Sequence, residues 1–292
     1  MDKSKVYFIK EITEDNLVRI FKILDVKLEK PIAIKVHTGE NGNKNYLKPE
    51  FLKEIINYVD GTVVECNTAY EGMRNTTEKH KELINRHGWD KLYSFDIMDS
   101  EGSITLSIKN GSVIHENHVG SHIKNYNSML VISHFKGHPM GGYGGALKQL
   151  SIGCASSEGK SWIHSAGVTK DQYKLWDNLP KQELFLKAMA ESASSITDYF
   201  KGNIAYINVM CNMSVDCDCC RDAEEPCMKD IGILASLDPV AIDKACIDLV
   251  KSSDDLGKEH LLERIRSRKG EMTIDYAYEL NIGNKEYELI EL

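Results

Sequence analysis

The sequence predicts an α/β fold: a largely parallel sheet with crossover helices, two closely packed lobes and an inserted β-hairpin. Three observations predict it. Short apolar runs alternate with segments of helical periodicity through the first half, and that order implies right-handed crossovers and parallel strands. Asn110-Gly111 joins the runs ITLSIK and SVIHENHV, and Asn-Gly is the strongest short-range hairpin signal. No repeat, low-complexity tract or linker interrupts the 292 residues. The whole chain, 1–292, therefore reads as a single domain, with lobes at about 1–127 and 128–292.

The elements follow in order. KVYFIK, residues 5–10, reads as a strand. Thr13 has the chemistry of an N-cap, and Leu17, Ile20, Phe21, Leu24 and Leu28 follow it at helical spacing. IAIKVH, residues 32–37, is the next strand. Pro49 opens a helix whose apolar face ends at Val59, with Gly61 as its stop. TVVEC, residues 62–66, is a third strand, and Asn75 with Glu78 forms a capping-box pattern before KHKELINRHG. SMLVISHF, residues 128–135, reads as a buried strand that delivers the chain into a glycine-rich loop. A long helix is expected over residues 181–200, then strands at 204–209 and 231–236. Asp238 caps a last helix that carries Pro239 in its first turn.

Composition bounds the function. A formal net charge of -8 leaves no basic excess to neutralise phosphates, so nucleic acid is not an expected partner. No apolar run reaches the length of a membrane span, and the polar N-terminus MDKSKVYFIKEITEDN is unlike a secretory signal. The expected location is the cytoplasm. Eight cysteines there point to reduced thiols, metal or redox chemistry rather than a disulfide frame.

One segment, SHFKGHPMGGYGGALKQLSIGCAS, follows the buried strand. Loops at the carboxyl ends of parallel strands are where α/β proteins bind ligands. Gly141, Gly142, Gly144 and Gly145 permit close backbone approach, and a helix starting near Gly145 would turn N–H groups toward an anion. Lys148 adds a charge or an attachable amine. His134, His138 and His164 are candidates for acid, base or metal ligand. The same glycines would serve equally in a plain tight turn. Nearby GCASSEGKS resembles a phosphate loop, but five residues separate Gly153 from Gly159 where that loop has four. His138, Lys148 and His164 are expected to converge on one pocket that takes a small anionic ligand.

A second segment, CNMSVDCDCCRDAEEPC, holds five cysteines. Thiolates this dense repel one another unless a cation holds them. The solutions are an iron–sulfur cluster or a zinc site, with Cys217, Cys219, Cys220 and Cys227 as ligands and Cys211 close by. A metal-free thiol redox cluster is the alternative. Asp216, Asp218 and Asp222 read as a solvated acidic loop.

VHTGENGN, VECNTAYEGMRNTTEKH, the histidine–glycine segment, VDCDCC and DIGILASLDPVAID together resemble the bacterial and archaeal family called domain of unknown function 362. The resemblance runs over nearly the whole chain. It implies an iron–sulfur centre (4Fe–4S) and a ferredoxin-like redox partner, because many members carry a separate ferredoxin module. His138, the glycine loop, Lys148 and His164 are also distantly similar, in order and spacing, to the active-site segment of nickel-pincer lactate racemases. That likeness implies an acid/base role for His138, a covalent cofactor on Lys148 and nickel at His164. EGMRNTTE is similar to the racemase stretch that supplies a second acid/base histidine, but Met73 stands there. Inversion needs a base on each face of the carbon, so the likeness extends to the fold and not to the reaction. Met73 is expected on the pocket wall. The combined reading is a metal-binding redox or transfer enzyme acting on a small anionic substrate. A metal or cluster carrier and a nickel-pincer isomerase are the alternatives.

Overall fold

The computed structural model describes residues 3–292. Twelve strands occur among them: β1 (Ser4–Ile9), β2 (Ile32–Lys35), β3 (Thr62–Glu65), β4 (Phe95–Ile97), β5 (Ser103–Ser107), β6 (Glu116–Gly120), β7 (Ser128–His134), β8 (Lys136–His138), β9 (Gly142–Gly144), β10 (Ile204–Met210), β11 (Gly232–Ser236) and β12 (Tyr287–Glu291). Eight form one sheet in the order β12-β1-β11-β10-β7-β2-β3-β4. From β10 to β4 every neighbouring pair is parallel. β11 runs antiparallel to both β10 and β1. The reason is local. Parallel neighbours need a crossover element between them, and no helix lies between β10 and β11.

Helices cover both faces of the sheet. All seven residues of β7 and all seven of β10 are buried, which explains their continuous apolar runs. Alternate residues serve opposite cores. Met129 and Val131 face the core built with Gln182–Phe200 and Pro239–Ser252, and Leu130 and Ile132 face the core built with Glu14–Ile23 and Lys53–Val59. Fully burying one such aliphatic side chain contributes about 1.5–3 kcal/mol. Thr13 caps the first helix through the Asn16 N–H. Asp238 caps Pro239–Ser252 through the N–H groups of Val240 and Ala241.

Three local details differ from the sequence expectation. Thr76, not Asn75, caps Thr77–His87; its hydroxyl accepts the Lys79 N–H, while Asn75 accepts from the Lys79 ammonium. Asp60, at φ 53, makes the left-handed stop of Lys53–Val59. Gly61 serves close packing instead, because a Cβ there would lie 2.8 Å from the Ile32 carbonyl oxygen. The hairpin exists, with β5 and β6 antiparallel, but its connection runs from 108 to 115. The buried Glu191 carboxylate accepts from the N–H groups of Ser112, Val113 and Ile114 and shapes that longer turn.

The topology fixes where a site can form. β10, β7, β2 and β3 are consecutive parallel neighbours, so the segments leaving their carboxyl ends lie side by side. Those segments are the cysteine loop, the histidine–glycine hairpin, the His37–Glu40 turn and the stretch that carries Arg74.

Candidate metal centre and anion pocket

β8 and β9 fold the glycine segment into a hairpin, with His138 opposite Gly142. Its N–H groups fix the imidazole. The N–H of Gly141 donates to His138 Nδ1 at 2.7 Å, and that of Met140 at 3.2 Å. A nitrogen that accepts bears no proton, so the neutral ring carries its proton on Nε2. Nε2 lies 3.9 Å from Cys219 Sγ. Burial, and then the Lys148 charge, pull the His138 pKa down to about 4. The ring is neutral near pH 7.

The cysteine loop reaches this point because Gly137 has no side chain. Its N–H donates to the Ser214 carbonyl at 2.8 Å, and a Cβ would lie 2.2 Å from the Val215 carbonyl oxygen. Cys217, Cys219 and His138 then present two sulfurs and one nitrogen within 4.8 Å of one another, close enough to hold a metal ion. Lys148 Nζ donates to Cys217 Sγ at 3.1 Å. Burial alone would raise the Cys217 pKa. The hydrogen bond from Cys219 and the Lys148 charge outweigh it and hold Cys217 well below the ordinary thiol value. Hydrogen bonds with Cys217 and Cys220, together with burial, push Cys219 well above it. The pair is therefore one thiolate and one thiol, and metal binding would displace the remaining proton.

Cys220 neighbours Cys219 but stands outside the three-residue group. Cys227 is separate, with its Sγ on the Met213 carbonyl oxygen at 3.2 Å. Cys211 is buried and lends its carbonyl to His134 Nε2 at 2.6 Å. Asp218 corrects the picture of a solvated acidic loop. It is 1% exposed and accepts from His134 Nδ1 at 2.8 Å and Lys136 Nζ at 2.7 Å. Asp216 is half-buried against Arg264, and Asp222 alone of the three is fully in solvent.

His138, Lys148 and His164 line one cavity of about 50 Å³. His164 Nδ1 faces the Lys160 carbonyl oxygen at 2.7 Å, so Nδ1 donates and the Nε2 lone pair is free of that proton. Its ring stacks on Phe185, and burial draws its pKa down to about 3. Gly144 and Gly145 also line the cavity, whereas Gly141 and Gly142 do not. Gly141 holds His138, and Gly142, at φ +82, packs its Cα side against Gly270.

The helix start at Gly145 is not open to a foreign anion. Asp243 fills it, accepting from the N–H groups of Ala146 at 2.8 Å and Leu147 at 3.0 Å. Asn208 and Tyr143 donate to the same carboxylate. The helical turn is short, Ala146–Lys148, and continues as a π-turn over Gln149–Gly153. Asp243→Asn would set an amide N–H₂ against these donors. It is expected to cost about 2–3 kcal/mol and to loosen Lys148, read as a lower midpoint in urea unfolding.

Met73 does not line the cavity, although the stretch around it reaches the wall through Tyr70 and Arg74. The Met73 N–H is tied to Glu40 Oε1 at 3.0 Å, which directs the chain there. Arg74 bridges Glu65 at 2.7 Å and Glu40 at 3.3 Å, and His80 meets Glu65 from the other side. Burial alone would raise Glu65, but Arg74, then His37 and His80, hold it well below the carboxylate range. Sequence reasoning missed Lys35, Glu65 and Arg74. A signal was present for two of them: Lys35 and Glu65 are charged residues inside the apolar runs IAIKVH and TVVEC.

Residues 32–248 match the family described as Domain of unknown function (DUF362). The chain belongs to the DUF362 family. No curated protein matches it. Among solved structures, the lactate racemase apoprotein from Thermoanaerobacterium thermosaccharolyticum is similar at 14% identity and a TM-score of 0.40, over 70% of this chain and 50% of that one. A protein from Thermotoga maritima is similar at 11% identity and a TM-score of 0.43, over 91% of this chain and 58% of that one. This DUF362 chain thus spans about half the length of each, and both likenesses are distant. No helix among its described residues is long and apolar enough to cross a membrane.

Proposed function

We propose that this DUF362 protein is a metal-dependent redox or transfer enzyme acting on a small anionic substrate. The observation that carries the reading is the nitrogen-and-two-sulfur group of His138, Cys217 and Cys219, two of which, His138 and Cys219, line a cavity that also holds Lys35, Lys148 and Lys160. Imidazole and thiolate ligands suit iron, nickel or zinc. Bound there, such an ion would supply a Lewis acid or an electron carrier. Lys148 holds the Cys217 thiolate, the Gly141 and Met140 N–H groups fix the His138 ring so that a metal would displace the proton on its Nε2, and the surrounding lysines draw in negative charge.

A four-thiolate iron–sulfur cluster would need Cys227 to leave the Met213 carbonyl and Cys220 to turn inward. A single ion fits the observed donors with less movement. A carrier that hands on its metal is less well supported, because Cys217 is fully buried. A second metal position at His164 has one observation in its favour, the Nε2 lone pair left free by the bond to Lys160. Elemental analysis and a visible spectrum of anaerobically purified protein test the reading. Stoichiometric iron, nickel or zinc, with thiolate-to-metal absorption for the coloured ions, is expected. Metal-free protein that also refuses all three ions after anaerobic loading would overturn it.

A further inference from the structure

Two lysines on the cavity wall play no part in the thiol group. Lys35 ends the central strand β2 and is completely buried. Its ammonium donates to the Val36 carbonyl oxygen and to Gln149 Oε1, the latter at 3.1 Å. Lys160 is 6% exposed and donates to the Ala155 carbonyl oxygen at 2.6 Å. Among the described residues neither makes an ion pair. The acid that acts most strongly on Lys35, Glu65, already serves Arg74, His80 and Thr38.

An ammonium has three N–H donors. One on Lys35 and two on Lys160 are left without an acceptor among the described residues. Two buried cations without an ion-pair partner are costly to fold. Burial lowers the Lys35 pKa, with Glu65 offsetting part of it. The backbone also makes room for the pair. Gly153 lies where a Cβ would come 2.6 Å from Gln149 Oε1 and 2.9 Å from Lys35 Cε. The π-turn over Gln149–Gly153 aims Gln149 at Lys35, and such turns recur at functional sites. All four residues line the same cavity as Lys148 and His138.

We propose that Lys35 and Lys160, with Gln149 as their spacer, form the seat for the anionic head of the substrate, a carboxylate or a phosphate group. The missing counter-charge is the ligand's own. A cavity of about 50 Å³ suits the head of a small acid. The inference rests on the proposed small anionic substrate and assigns its anchor to the lysine wall, leaving the thiol wall to the metal.

The test is calorimetric titration of the anaerobically purified, metal-analysed full chain with oxalate and, separately, inorganic phosphate. Binding of oxalate alone marks a carboxylate seat, and binding of phosphate alone marks a phosphate seat. Lys35→Met and Lys160→Met should each weaken the probe that binds by roughly tenfold or more. Both variants should keep the wild-type metal content, and without the probe they should melt no lower, because each removes an uncompensated buried charge. Reductive methylation of the unmodified protein should label Lys160, the more exposed of the two, less when the probe is present, a readout that needs no variant. Failure of both probes to bind the metal-loaded protein would overturn the seat and leave the metal reading standing. So would unchanged affinity in both variants, or an affinity lost only in Lys148→Met. Binding that persists in protein unable to take up metal would support the seat and overturn the metal reading instead.

Discussion

Serine at Cys217 or at Cys219 is expected to strip the bound metal from anaerobically purified protein, while Cys227→Ser keeps it. A hydroxyl is a poor ligand for soft or borderline ions, and each of the two sulfurs is one of the three donors grouped within 4.8 Å among the described residues. The loss in affinity should exceed the roughly 10–100-fold that removal of a supporting hydrogen bond costs. Lys148→Met belongs in that milder class. Its ammonium touches Cys217 Sγ at 3.1 Å and helps hold the thiol deprotonated. Without it the Cys217 pKa rises, so metal should fall off at a higher pH than in the wild type, since protons compete with metal for the sulfur. Metal per chain by mass spectrometry across a pH series reads both effects. Wild-type metal content in Cys217→Ser, or loss of metal in Cys227→Ser alone, would show that the ligands lie elsewhere.

The contrast between Cys219 and Cys227 shows what the sequence could and could not convey. Dense cysteines announced a soft-metal segment, but their spacing did not say which of them turn inward. Gly137 decides that by admitting the Val215 backbone, and nothing local in VDCDCC marks it. The buried strand 128–135 and the caps Thr13 and Asp238 were legible because apolar runs and capping are short-range chemistry. The hairpin turn was misjudged because its shape depends on Glu191, some 77 residues away from Ile114. The helix start at Gly145 looked free in sequence, yet Asp243 arrives from a helix 97 residues later to occupy it. Met73 likewise falls outside the cavity through a bond to Glu40, across 33 residues. Long-range polar partners are what a single sequence hides, and this site is built mostly from them.

Asp218 is the strongest case, and Asp218→Asn is expected to destabilise the protein by about 3–5 kcal/mol. The residue sits between the two sulfurs of the candidate centre and is 1% exposed. Its carboxylate neutralises Lys136 at 2.7 Å and meets His134 Nδ1 at 2.8 Å, and its carbonyl accepts the Glu40 N–H at 2.8 Å. His134 also faces the Cys211 carbonyl oxygen through its other nitrogen, so both ring nitrogens meet acceptors. An asparagine keeps the shape but turns a donor N–H₂ toward Lys136 or His134, and it leaves a buried ammonium without a counter-charge. The pH dependence separates this from a plain packing defect. Burial would raise the Asp218 pKa, but His134 and Lys136 pull it far below its ordinary 3.8. Below pH 3.8 the unfolded chain takes up the proton before the folded one, so the stabilisation is fully present above that pH and is lost as pH falls further. The gap between wild type and variant in urea unfolding should therefore stay constant from pH 7 down to about 4.5 and narrow only in stronger acid. Metal affinity should fall with it, because Cys217 and Cys219 are held in register by the same ion pair. A gap below about 1 kcal/mol at pH 7, less than a buried charge pair leaves when it is broken, would mean that Asp218 does not anchor the cysteine loop.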